Sequence, residues 1–103
     1  MRLSLFISMC LITLTSFAYD GDPILGQTKI PSCPFCHGKD GIALQGRYPN
    51  LRGQDELYLL QAMRAYQNGD RNGPMARMMQ IQLQRLNDED LHDIAAYYAS
   101  QGE

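Results

Sequence analysis

The chain has 103 residues and a formal net charge of -2 at pH 7, from 9 basic and 11 acidic side chains. A chain of this length forms one small domain with a thin hydrophobic core. Its mildly acidic balance argues against nucleic acid as a partner, because a polyphosphate backbone is bound by an excess of basic side chains.

The N-terminal segment has the features of a secretory signal peptide. Arg2 gives it a positive start, residues 3–14 are mostly apolar, and Ser16-Phe17-Ala18 has the small-x-small form of a cleavage site. The apolar run is shorter than the roughly 20 residues of a membrane-spanning helix, which disfavours the alternative of an uncleaved anchor. We expect cleavage after Ala18, so that residues 1–18 are removed together with Cys10. The remaining domain, residues 19–103, would have no stable membrane insertion.

The first predicted helix runs from Ile24 to Ile30. Asp22 and Pro23 suit its start, because aspartate caps helices and proline is favoured at the first helical position. Gly26 lies in its middle, where glycine costs about 1 kcal/mol relative to alanine. A close approach of another helix would explain this glycine.

Two further helices are predicted to be amphipathic. One begins at Gln54 or Asp55 and ends at Asn68-Gly69, and the other opens at Asn87 and ends near Gln101-Gly102. The residues predicted to form their buried stripes are Leu57, Leu60, Ala62 and Met63 with Tyr58 and Tyr66 beside them, and then Leu91, Ile94, Ala95 and Tyr98.

The remaining segments are predicted to be irregular or exposed. Residues 42–51 have no regular period and are expected to form a loop around a bound group. Gly73-Pro74 is expected to break the chain before a cluster of methionines. His92 and Asp93 are expected to face away from the core, with His92 at the surface.

The motif Cys33-Pro34-Phe35-Cys36-His37 carries the strongest functional signal. Two cysteines at this spacing can each form a thioether with a haem vinyl group, and the adjoining histidine can then reach the iron. The alternatives are weaker, because a dithiol redox site needs a βαβ context and a zinc site needs four ligands, for which only His92 is left. The motif therefore predicts one haem c, attached through Cys33 and Cys36, with His37 as the proximal iron ligand.

The chain as a whole resembles the class I cytochromes c, in particular the small bacterial periplasmic group of the cytochrome-c-four and c-five types. The resemblance covers essentially all of residues 19–103. It rests on Cys33-Pro34-Phe35-Cys36-His37-Gly38, Tyr48-Pro49-Asn50-Leu51-Arg52-Gly53-Gln54, Gly69-Asp70-Arg71, Leu86-Asn87-Asp88-Glu89-Asp90-Leu91 and Ile94-Ala95-Ala96-Tyr97-Tyr98-Ala99. It implies an all-α fold of three to four short helices wrapped around the haem, with the first and last helices crossing.

The resemblance also implies a methionine as the sixth iron ligand. Met79, seven residues before Leu86, fits the spacing of the family, with Met78 as the second choice and Met75 as the third. Methionine more often fills gaps in a core. The carbonyl of Pro49 would accept a hydrogen bond from the other ring nitrogen of His37 and so fix the tautomer of the ligating ring.

Other residues acquire expected roles from the same resemblance. Gly26 would pack against Tyr97 or Tyr98 where the first and last helices cross. The residues flanking the haem loops, of which one or more could bond a haem propionate, are Arg47, Tyr48, Arg52 and Arg71.

An iron held by histidine and methionine has both axial positions filled and can only change its oxidation state. The sequence thus predicts an electron carrier of the periplasm rather than an enzyme. It would connect a dehydrogenase or quinol-oxidising complex to a terminal oxidase or reductase, through transient docking of redox proteins at the haem edge. The alternatives are a haem subunit of a larger oxidoreductase, a five-coordinate haem enzyme or sensor, and a dithiol exchanger without haem.

Overall fold

The structure is a computed structural model that describes residues 9–14 and 18–102. These residues contain five helices and no strand, namely α1 (Pro23–Thr28), α2 (Cys33–His37), α3 (Glu56–Gln67), α4 (Pro74–Leu83) and α5 (Asp88–Ser100). In this part of the chain, no helix is long and apolar enough to cross a membrane. The cleavage motif Ser16-Phe17-Ala18 lies largely outside the described residues, so the signal peptide stays a prediction.

Side-chain caps begin the three helices that the sequence delimits. Asp22 accepts hydrogen bonds from the first two free backbone N–H groups of α1, at 2.9 and 3.2 Å. Asp55 caps α3 at 2.9 Å, and Asn87 forms a reciprocal capping box with Asp90 at the start of α5. Each cap satisfies N–H groups that have no partner within the helix, which explains why the predicted starts are confirmed.

Two helical segments were not predicted. α4 begins at Pro74, with Gly73 as its N-cap, where the sequence indicated only a break. Proline does end the preceding segment, but its fixed φ angle also suits the first position of a new helix. α2 is a single turn that spans the haem motif and is too short to have a periodic signal.

α1 and α5 cross in direct backbone contact at Gly26. A Cβ atom at this position would overlap the carbonyl oxygen of Asp93 and lie 2.9 Å from the Cβ of Tyr97. The crossing therefore requires glycine. Of the two aromatic residues expected to meet Gly26, Tyr97 is the one that does so, and it contributes its Cβ rather than its ring.

The prediction that Asp93 faces away from the core was wrong, because its side chain is fully buried. Its carboxylate accepts hydrogen bonds from the Tyr19 hydroxyl at 2.8 Å, the Asp22 N–H at 2.8 Å and the Lys29 ammonium at 2.6 Å. Burial acts to raise the pKa of Asp93, but these donors outweigh it and hold the pKa below its usual range. The crossing helix α1 covers a second face of α5, which a single apolar stripe does not reveal.

The core lies between α3 and α5. On α5, the predicted residues Leu91, Ile94, Ala95 and Tyr98 are all buried. On α3, Leu57 is 57% exposed, whereas Leu59 and Leu60 are buried. The prediction for Leu57 was wrong because the buried stripe of α3 is centred on residues 59, 60, 63 and 66, which leaves Leu57 at its edge.

The segment between α2 and α3 is a loop, as predicted for residues 42–51. The carbonyl of Gly41 accepts hydrogen bonds from the N–H groups of Leu51 and Arg52, at 2.7 and 3.1 Å, and so closes the loop. The Gly53 N–H donates to the Tyr98 carbonyl at 3.0 Å, which attaches the end of the loop to α5. The loop is therefore held against the core on the side of α2.

Candidate functional site: a haem cavity

The single turn of α2 brings the reactive residues of the motif together. Cys33 and Cys36 stand one helical turn apart as free thiols, and His37 is buried at the end of the turn. Burial raises the pKa of the Cys33 thiol above its usual value. Both sulfur atoms are available to form bonds to a group outside the chain.

The ring of His37 is oriented by the loop that follows α2. Its Nδ1 atom lies 2.9 Å from the carbonyl oxygen of Pro49, so Nδ1 donates a hydrogen bond and Nε2 remains free to act as a ligand. The ring of Tyr48 meets the imidazole edge to face, with 6.5 Å between the ring centroids. A backbone carbonyl as partner fixes both the tautomer and the orientation of the ring.

An apolar cavity of about 380 Å³ opens between α2, the loop at residues 47–54, α3, α4 and α5. Its lining includes all the predicted attachment and ligand residues and Pro49, namely Cys33, Cys36, His37, Pro49, Met75, Met78 and Met79. Met79 is half-buried and packs against the core, whereas Met75 and Met78 are 44% and 46% exposed. Of the three methionines, Met79 is therefore the best protected from water.

Tyr98, one of the residues that line the cavity, carries a buried hydroxyl without a partner. Among the described residues, this hydroxyl is the only buried side-chain nitrogen or oxygen that makes no hydrogen bond. Tyr98 was expected in the buried stripe of α5 or against Gly26, and its place in the lining was not predicted.

The outer rim of the cavity is basic and aromatic. Arg47 lies over the ring of Tyr48, with its guanidinium carbon 5.1 Å from the centroid. Arg71 lies 4.8 Å from the ring centroid of Tyr66 and donates a hydrogen bond to its hydroxyl at 3.0 Å. Arg52 differs from the other expected residues, because it pairs with Asp40 at 3.1 Å and does not line the cavity.

His92 has no part in this site. Its Nε2 lies 3.4 Å from an oxygen of Asp88, and it is partly buried rather than fully at the surface. In the described part of the chain, no cluster of three or more His, Cys, Asp or Glu side chains could hold a metal ion.

The donor set fits a haem: two thiols, one oriented imidazole, thioether sulfur atoms across an apolar cavity, and no carboxylate in its lining. The sequence model of the family described as cytochrome c matches residues 24–101. The chain belongs to the cytochrome c family. Members of this family carry a covalently bound haem c, and the cofactor of this cytochrome is attached through Cys33 and Cys36.

Similar proteins support the same assignment. Cytochrome c-554(548) of Halomonas halodenitrificans is 49% identical over 81 residues, which cover 79% of this chain and 98% of that protein. Cytochrome c4 of Pseudomonas aeruginosa is 42% identical over 99 residues, or 94% of this chain and 48% of that protein. The crystal structure of reduced recombinant cytochrome c4 from Pseudomonas stutzeri superposes with a TM-score of 0.70 at 40% identity, covering 79% of this chain and 46% of the other. The cytochrome spans about half the length of these c4 relatives.

The family and the fold together confirm an all-α cytochrome c that transfers electrons and is not an enzyme. The proteins compared above come from bacteria.

Proposed function

We propose that the cytochrome is a single-haem electron carrier in which His37 and Met79 are the axial ligands of the iron. When bound, the haem supplies a one-electron couple between the ferrous and ferric states. The observation that carries the proposal is the cavity itself, which is lined by the oriented imidazole of His37 and by the best protected methionine of the cluster, Met79.

The hydrogen bond from His37 Nδ1 to Pro49 supports the imidazole as the proximal ligand. It leaves Nε2 as the atom that faces a bound group and increases the electron density on the ring. The adjoining Cys33 and Cys36 would hold the macrocycle next to the same turn.

The apolar lining supports a carrier with a raised reduction potential. Leu51, Leu59, Met63 and Ile94 contribute hydrocarbon surface to the cavity. They would exclude water and disfavour the ferric site, which carries the additional positive charge. A thioether ligand acts in the same direction, because soft sulfur favours the ferrous state.

The edge of the cavity next to α2 is the surface proposed for transient docking of redox partners. Phe35, between the two cysteines, is 88% exposed, and Met75 and Met78, which also line the cavity, are 44% and 46% exposed. An exposed apolar rim of this size suits a small and short-lived interface. We propose a dehydrogenase or quinol-oxidising complex as donor and an oxidase or other reductase as acceptor. The signal sequence predicted for residues 1–18 supports the periplasm as the compartment.

The experiment that tests this function is a redox titration of the haem-loaded protein, with absorption spectra in both states. We expect one reversible one-electron transition, low-spin spectra and a sulfur-to-iron charge-transfer band in the ferric state. Carbon monoxide should bind the reduced protein slowly at neutral pH, because Met79 occupies the sixth position. Rapid formation of a carbonyl complex would reject the carrier and favour a five-coordinate enzyme or sensor.

A further inference from the structure

Arg71, in the loop between α3 and α4, contacts two tyrosines of α3 at the same time. Its guanidinium donates hydrogen bonds to the hydroxyl of Tyr66 at 3.0 Å and to that of Tyr58 at 3.4 Å, and its central carbon lies 4.8 Å from the ring centroid of Tyr66. A planar guanidinium can make all three contacts at once, whereas the ammonium of a lysine cannot. Tyr66 itself packs against the hydrophobic core. Arg71 is therefore attached to the core through α3.

Arg71 lies just before the helix that carries the methionine cluster. α3 ends at Gln67 and α4 begins at Pro74, and Gly73, the N-cap of α4, forms no side-chain cap. Among the described residues, no other side chain of residues 69–79 hydrogen-bonds to α3. The polar attachment of the start of α4 to α3 therefore depends on Arg71.

The other end of α4 is attached by a different side chain. The amide of Gln67 donates hydrogen bonds to the carbonyls of Leu83 and Leu86, at 2.9 and 3.0 Å. Met79 lies between the two attachments, and it lines the same cavity as Arg71. The position of its thioether in the cavity therefore depends on both ends of α4, of which the first is held by Arg71.

We propose that Arg71 is a positioning residue for Met79, which it keeps on the iron by holding the start of α4 against α3. This role rests on the ligation of the iron by Met79 proposed above. An external ligand can take the sixth position only in a minor state in which the methionine has moved away. The contacts of Arg71 with Tyr58 and Tyr66 are lost when α4 moves, so they lower the population of that state and the apparent affinity for external ligands.

The test measures the affinity of the ferric, haem-loaded protein for imidazole, through the loss of the sulfur-to-iron charge-transfer band. Imidazole is largely neutral at about pH 8, so the charge removed in Arg71→Ala does not by itself change its binding. We expect Arg71→Ala to keep the band without imidazole and to bind imidazole about tenfold more tightly, which corresponds to the loss of one hydrogen bond. Arg71→Lys should also bind it more tightly than the wild type, because an ammonium cannot replace all three contacts.

Arg77→Ala is the matched control. Arg77 lies on α4, but it donates to Gln80 of the same helix at 3.0 Å and does not line the cavity, so its removal should leave the imidazole affinity unchanged. Tyr66→Phe is a second variant, which keeps the ring and removes only the acceptor. It should increase the affinity less than Arg71→Ala does. The double variant should match Arg71→Ala alone, because both changes act through one contact.

Two results would overturn the role of Arg71. One is a wild-type imidazole affinity in both Arg71→Ala and Tyr66→Phe, and Tyr66→Phe decides alone if Arg71→Ala does not fold. The other is an equal increase in Arg71→Ala and Arg77→Ala, which would indicate a general loosening of α4. A wild-type protein without the charge-transfer band would instead contradict the carrier function, so the spectrum of the wild type distinguishes the two failures.

Discussion

The α1–α5 crossing and the haem cavity differ in whether the polypeptide alone supplies partners to their polar and reactive side chains. At the crossing, the buried Asp93 has three hydrogen-bond donors, and Gly26 allows the two helix backbones to touch. At the cavity, the thiols of Cys33 and Cys36 are free. The polar groups of the crossing are satisfied by the polypeptide, whereas the thiols of the cavity are left for a bound group. Substitutions in the two regions should therefore have different kinds of effect.

The largest effect is expected from Cys36→Ser, which removes one of the two covalent attachments in the cavity. The haem would then be held by one thioether or lost, and the yield of haem-loaded protein should fall several-fold. The pyridine haemochrome spectrum measures this yield. Cys10→Ser is the control, because Cys10 lies in the predicted leader and should not alter attachment. An unchanged yield in Cys36→Ser would show that the attachment is assigned to the wrong residue.

Asp93→Asn should be the most destabilising change at the crossing. It leaves Lys29 without its shortest ion pair and removes a fully buried charge that three donors satisfy, at a cost of about 3 kcal/mol in the free energy of unfolding. Urea unfolding of the haem-loaded protein measures it. The control Asp88→Asn removes an exposed ion pair with Arg64 and should cost less than about 1 kcal/mol.

The same contact gives a pH dependence with a defined sign. The pKa of Asp93 is lowered in the folded protein, so its contribution is fully present above the usual carboxyl pKa of about 4. This contribution is lost as the pH falls through the lowered value, because the unfolded state binds the proton more readily than the folded state does. The difference in unfolding free energy between wild type and Asp93→Asn should accordingly shrink below about pH 4. A difference that grows in acid would contradict the assignment.

Gly26→Val should destabilise the crossing somewhat less, by about 2–3 kcal/mol, because α1 is short and can shift to relieve the overlap. The midpoint of thermal unfolding measures the loss. Gly46→Ala provides the matched control, since a Cβ at Gly46 meets no atom within 4 Å. Equal stabilities of the two variants would remove the physical account of Gly26.

Met79→Ala should have the smallest effect on folding and a decisive effect on the cavity. It should abolish the sulfur-to-iron charge-transfer band and lower the midpoint potential, because a soft ligand of the ferrous state is lost. The ferric absorption spectrum measures both the band and the new coordination. Met78→Ala should keep the band, since Met78 is 46% exposed. If the band is lost in Met78→Ala alone, the ligand is Met78.

Features with a local cause could be predicted from the sequence. The motif from Cys33 to His37 contains its own chemistry within one turn, and the capping box of Asn87 and Asp90 needs only four consecutive residues. The prediction for Asp93 failed for a different reason. Its burial depends on contacts with the start of α1, which is distant in sequence. A hydrophobic pattern along one helix does not report a contact of this kind.

The contact between Gly26 and α5 also ties the two ends of the domain to the cofactor site. It joins segments far apart in sequence, and the hydroxyl of Tyr97 adds a second link, to the Lys39 carbonyl, two positions beyond His37. Ile94, Ala95 and Tyr98 of the same helix line the cavity. One helix thus serves as both the clasp between the ends of the domain and a wall of the haem cavity, so a loosened crossing should be felt by the cofactor.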